Sequence, residues 1–133
     1  MPVSDLNQLI QSMDPVLHEG VYVFSSVERK DDLGEINFVA SIEEAEGISV
    51  VLHEADATSL GLEVLFRAAW ITLTVHSDLE AIGLTAVIAG AFAKAGISCN
   101  VVAGTFHDHL FVPVDKAEAA MQVLRKLQFS GSS

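Results

Sequence analysis

Hydrophobic positions change their spacing repeatedly along this chain, and each change marks an element. Over residues 3–13 they fall at Leu6, Leu9, Ile10 and Met13, one face of a short helix, with Ser4 placed to cap its start and Asp14-Pro15 to end it. Residues 20–28 (GVYVFSSVE), 36–42 (INFVASI) and 48–53 (ISVVLH) read as strands. The polar stretch 29–35 and the acidic turn 43–47 divide them, and Gly47 suits a positive φ angle in that turn. A short helix over 54–62 closes near Gly61.

From residue 69 the texture becomes β-rich. In WITLTVH, Ile71, Leu73 and Val75 share one face, with Trp70, Thr72, Thr74 and His76 on the other. Residues 83–95 then place Leu84, Ile88, Ala91, Phe92 and Ala95 on one helical stripe, and Gly96 stands where a left-handed cap is wanted. Two further strands, 97–103 and 107–114, meet around Gly104, with Pro113 marking an edge or a strand end. Asp115 and Glu118 open a helix over 115–127 that buries Ala117, Ala120, Met121, Leu124 and Leu127.

The second half thus runs β-α-β-β-α, with two helices to cover one face of an antiparallel sheet. This is an α+β, ferredoxin-like plan lacking its last strand. The first half has strands to spare, so strand exchange between the halves would supply it. The reading is two tandem units, 1–64 and 65–133, without a linker composition between them.

Composition narrows the partners. Seven Lys and Arg against 18 Asp and Glu give a formal charge of -11, which repels phosphate and anionic lipid, so neither nucleic acid nor membrane is expected. The single cysteine, Cys99, cannot form an internal disulfide, and the N-terminus lacks the basic start and apolar run of a secretory signal; a cytoplasmic protein is expected. No apolar run approaches the ~20 residues that span a bilayer.

Gly83-Leu84-Thr85-Ala86 at a helix start, Ala95-Gly96-Ile97-Ser98 at its end and Asn100-Val101-Val102-Ala103-Gly104 in the next strand resemble an ACT domain. That family comprises small βαββαβ modules that bind amino acids and regulate enzymes. The chain is most similar to short bacterial tandem-ACT proteins, and more distantly to the aspartate kinase regulatory region and a cytosolic arginine sensor. The likeness is specific over residues 70–127, the first half counting as a degenerate partner unit. It implies a ligand between adjacent units, held by the first strand-to-helix loop and the start of the second strand. Here those positions are Asp78, Leu79, Glu80, Ile82, Gly83, Leu84, Thr85 and Ala86, with Ser98, Asn100 and Val101. Free amide hydrogens at the helix start suit an α-carboxylate, with Gly83 allowing close approach, while Asp78 and Glu80 suit an α-amino group. Homodimerisation through sheet edges is implied as well.

The run His107-Asp108-His109 concentrates chemistry. Two imidazoles two apart on a strand can share a metal ion, but a third ligand is needed. His76, His53 or an acidic residue would have to be brought by folding, and no HExxH or CxxC pattern nominates one. Polar contacts at a strand end are the commoner role, so no metal or other cofactor is expected. Similar short ACT proteins carry HDH, which keeps a structural or ligand-side role open for His107 and Asp108. Asp108 falls with Leu110, Val112 and Val114, at a sheet margin or buried and paired. Cys99 reads as a small buried hydrophobe, and Trp70 with Phe66 as core or interface. Asn100, unusual in a strand, either bonds neighbouring backbone or faces the ligand. Neither a nucleophile elbow nor a phosphate loop is present, so no residue is nominated as catalytic. The expected function is a non-enzymatic amino-acid sensor acting on a separate protein; the alternative is a protein–protein adaptor with a vestigial pocket.

Overall fold

The computed structural model describes residues 5–75 and 82–130. In chain order these form α1 (Leu6–Gln11), β1 (Pro15–Leu17), β2 (Tyr22–Val27), β3 (Ala40–Glu44), β4 (Gly47–His53), α2 (Glu54–Leu60), β5 (Phe66–Leu73), α3 (Leu84–Ala95), β6 (Asn100–Ala103), β7 (Asp108–Pro113) and α4 (Ala117–Ser130). The architecture is the expected α+β one, with antiparallel strands and ferredoxin-like units. No helix among the described residues is long and apolar enough to cross a membrane.

Packing divides the chain into a central unit, residues 20–68, and a terminal unit, residues 1–19 with 69–133.

In the central unit the strand order is β3-β4-β2, with β2 pairing the first residues of β5. The β2–β4 ladder runs antiparallel from Tyr22↔His53 to Val27↔Ile48. Strand alternation turns Val23, Val27, Val50 and Leu52 to one side, where they bury with Leu33 and Ala57. The expected strand over 36–42 begins only at Ala40. A 3-10 turn at Lys30–Leu33 precedes it, and the Ile36 N–H donates back to the Leu33 carbonyl at 3.2 Å. Ile36 and Phe38 then tuck partly against the core instead of joining the ladder.

In the terminal unit β5 pairs with β1 and is followed in the sheet by β7 and then β6. The strand missing from the β-α-β-β-α order is β1: Pro15, Val16 and Leu17 pair antiparallel with Leu73, Thr72 and Ile71. One sheet face presents Ala69, Ile71, Leu73, Leu110 and Val112 to the helices, and these bury with Leu9, Ile88, Phe92 and Leu124. Leu110, Ile71, Leu73 and Leu124 are wholly buried, each worth about 1.5–3 kcal/mol relative to exposure. The stripe expected on α3 holds for Leu84, Ile88 and Phe92, whereas Ala95 is exposed in its last turn. The strand expected over 97–103 starts at Asn100 because Gly96 takes the left-handed cap (φ 73°) and the Ile97 N–H donates to the Phe92 carbonyl at 2.9 Å.

Candidate functional site

The start of α3 is built by two features. Gly83 is its N-cap at φ 99°, a conformation glycine adopts without strain. Gly83 has no side chain of its own with which to cap the first turn, and the Val87 N–H bonds the Gly83 carbonyl at 2.9 Å. The amides ahead of it are the ones a helix start leaves without intrahelical acceptors. Thr85 and Ala86 are exposed, Ile82 is 86% exposed, and Leu84 turns into the core. Leu6 of α1 lies so close that a Cβ on Gly83 would meet its Cδ2 at 3.2 Å. The missing side chain at 83 thus admits the chain's own N-terminal helix on that side. Asp78, Leu79 and Glu80 lie outside the described residues, as does His76.

Ser98, Asn100 and Val101 occupy the other end of α3. Ser98 and Asn100 are exposed, Val101 is half-buried, and a hollow of about 400 Å³ opens beside Ser98 and Cys99 against Phe92 and Gly96. The helix between the two ends has twelve residues, a length of about 18 Å. One unit does not bring the two groups of residues around one small molecule. Asn100 faces Phe111 across the β6–β7 ladder, on the side away from the helices. Burial pushes the Cys99 thiol up to about 11, so it is a protonated, unreactive group near neutrality.

His107 and Asp108 sit at the end of the sheet from which the chain leads into α3. The His107 Nδ1 approaches the Val75 carbonyl at 3.5 Å, and Asp108 pairs with Ala103 on the helix side. His109 points to the opposite face. Its Nδ1 lies 3.1 Å from the Trp70 Nε1 and 3.1 Å from the Thr72 hydroxyl, which in turn lies 2.7 Å from the His18 Nε2. The His18 ring stacks on Trp70 with centroids 3.6 Å apart and planes at 10°. Burial, and then the neighbouring His109, lower the His18 pKa; burial and His107 lower that of His109, against a smaller opposing effect of Asp108. No group of three metal-binding side chains placed to hold an ion occurs among the described residues. Trp70 is half-buried and packs between the His18 ring and Phe111.

His18 and Thr72 were not legible as members of this cluster. His18 lies far from Trp70 in sequence, three residues after a proline and outside any alternating run, so only the β1–β5 pairing exposes the connection.

Two ACT-domain family models match the chain, one over residues 2–69 and the other over residues 66–126. The chain belongs to the ACT-domain family. Among solved structures this ACT protein is similar to a Vibrio cholerae protein of unknown function, described as a possible transport protein. They share 44% identity over 92% of this chain and 95% of that one, with a TM-score of 0.84. It also shares its fold with the ligand-free regulatory subunit of aspartate kinase from Thermus thermophilus, at 13% identity, 87% and 97% coverage and a TM-score of 0.68. A protein from Agrobacterium tumefaciens is similar at 15% identity, 86% and 87% coverage and a TM-score of 0.65. No match is found among curated proteins. ACT membership supports a regulatory role with amino-acid binding in general, and dimerisation is typical of such domains.

Proposed function

We propose that this ACT protein is a non-catalytic amino-acid sensor whose ligand carboxylate is held by the first-turn amides of α3. The observation that carries the reading is the α3 start itself: a glycine at the N-cap and exposed Thr85 and Ala86, in a family whose members bind amino acids. A local cluster of N–H donors suits an anion even in a protein of charge -11.

The other expected contacts, Ser98, Asn100 and Val101, lie at the far end of the same helix. A single ligand reaches both sets when they come from different copies of the terminal unit. This supports a homodimer joined through β6, the last strand in its sheet order among the described residues. Asp78 and Glu80 are assigned the α-amino group, and His107 with Asp108 border the same end of the unit. Ligand binding then shifts an assembly or conformational equilibrium read by a separate protein, because the two states differ in affinity.

The test is a thermal-shift screen of the purified chain against the twenty amino acids and their α-amides. Stabilisation by one amino acid, absent with its amide, supports the carboxylate anchor; at a hundred times Kd it amounts to about 2.7 kcal/mol. No stabilisation at millimolar concentrations refutes the sensor and favours the adaptor.

A further inference from the structure

The β1 strand is held with little burial. It has three residues; Val16 is 47% exposed and Leu17 36% exposed, and Pro15 has no N–H to donate. Around it the ladder is extended by the His18 N–H to the Trp70 carbonyl at 2.9 Å and the Thr74 N–H to the Met13 carbonyl at 2.9 Å. What distinguishes this strand is the polar relay at its end, running from His18 through the buried hydroxyl of Thr72 to His109.

The proton positions in that relay are dictated by chemistry. An indole N–H only donates, so the His109 Nδ1 facing Trp70 carries a lone pair and no hydrogen. The Thr72 hydroxyl therefore donates to the same nitrogen, which leaves its oxygen to accept from the His18 Nε2–H. While His109 is neutral, the Trp70 N–H and the Thr72 hydroxyl share the lone pair of its Nδ1, and the His18 Nε2–H has the Thr72 oxygen as acceptor. A proton on the His109 Nδ1 reverses this. It faces the Trp70 N–H donor to donor, and it turns the Thr72 hydroxyl away. A charged His18 alone does not, since it keeps its Nε2–H and stacks as a cation on the indole.

We propose that the His18–Thr72–His109–Trp70 relay is a proton-operated fastener for β1: neutral His109 holds the strand on β5, and a proton at its Nδ1 releases it. The charged neighbours act in known directions. His107 and Asp108 flank His109 on its own strand; β1 brings His18, followed by Glu19; Trp70 and Thr72 of β5 carry no charge; and β6, which pairs Val102 with His109, has no titratable side chain. When both imidazoles are charged, two cations share one hydroxyl, which adds repulsion. Release leaves α1 in place through buried Leu9 and Ile10, frees the chain after it, and opens the β5 edge to another strand.

The sign follows from the relay and from burial, which both disfavour charged His109. The fastener is intact above pH 6.5, the ordinary histidine value, and weakens as pH falls below it, by at most about tenfold per pH unit for one proton. Trp70 is the only tryptophan, so its emission reports the cluster directly. The experiment follows Trp70 emission and the amide protection factors of His18 and Thr74 from pH 7.5 to 5, together with the His109 imidazole 15N shifts. Expected are a common midpoint below 6.5, falling protection at both amides with unchanged protection in α1, and a flat profile in His109→Gln, whose amide oxygen still accepts from Trp70. Protection that ignores pH, a His109 midpoint different from that of the amides, or an unaltered profile in His109→Gln each overturns the proposal. Because the 15N comparison uses the wild-type chain, it decides the matter even where His109→Gln does not fold.

Discussion

Two substitutions of the same chemistry, Gly104→Ala and Gly90→Ala, should have opposite effects. A Cβ on Gly104 would stand 2.9 Å from the His107 carbonyl oxygen and 3.2 Å from the His109 Nε2. The first contact is with backbone that accepts the Gly104 N–H at 2.9 Å, so relieving it strains or breaks that hydrogen bond. The second presses on the ring that Trp70 and Thr72 hold. Overpacking of this kind costs about 1–3 kcal/mol, and a lost hydrogen bond alone about 0.5–1.5 kcal/mol. Gly90 sits within α3, where an added Cβ meets nothing within 4 Å. There alanine stabilises by about 0.5–1 kcal/mol through helix propensity. At roughly 4 °C per kcal/mol for a chain of this size, melting followed by circular dichroism should fall by roughly 4–12 °C for Gly104→Ala and rise by roughly 2–4 °C for Gly90→Ala. Trp70 emission should move only in the former. Equal melting temperatures for the two variants, or a Gly104→Ala protein as stable as the wild type with unchanged emission, would refute the packing argument.

Ala86→Asp places a carboxylate in the first turn of α3, where it meets the same amides a ligand would use; amino-acid stabilisation in the thermal-shift screen should vanish while the unliganded stability holds or rises slightly, by about 0.3–1 kcal/mol. A ligand response that survives this change removes the carboxylate anchor. Leu110→Ala, at a β7 side chain with no exposed surface, should cost about 2–5 kcal/mol in urea unfolding, against near-neutrality for an alanine at exposed Ile42. Cys99, with its thiol pushed up to about 11, has about one thiolate per thousand molecules at pH 8, so an aromatic disulfide reagent should label it slowly in the native state and rapidly in urea.

Much of this molecule was legible from the order of its residues. The helix of period 3.6 over Leu84, Ile88 and Phe92, its glycine stop at Gly96 and the buried stripe of α4 are local statements, since side chains three and four apart must share a face. The alternation of Ile71, Leu73 and Val75 fixed which side of β5 meets the helices for the same reason. The ACT likeness lay in the glycine-bounded helix and the strand after it.

What only the tertiary structure decided is which distant segments meet. β1 has three residues and no period, so nothing within it announces a strand; it exists because β5 offers an edge more than fifty residues later. Leu6 against Gly83, and His18 joined to His109 through Thr72, are likewise choices made by packing. The sequence therefore determined the elements and their buried faces, whose energetics are set by neighbours along the chain. Folding alone determined the polar cluster, because hydrogen-bond partners are selected by geometry between strands and leave no periodic trace in any one of them.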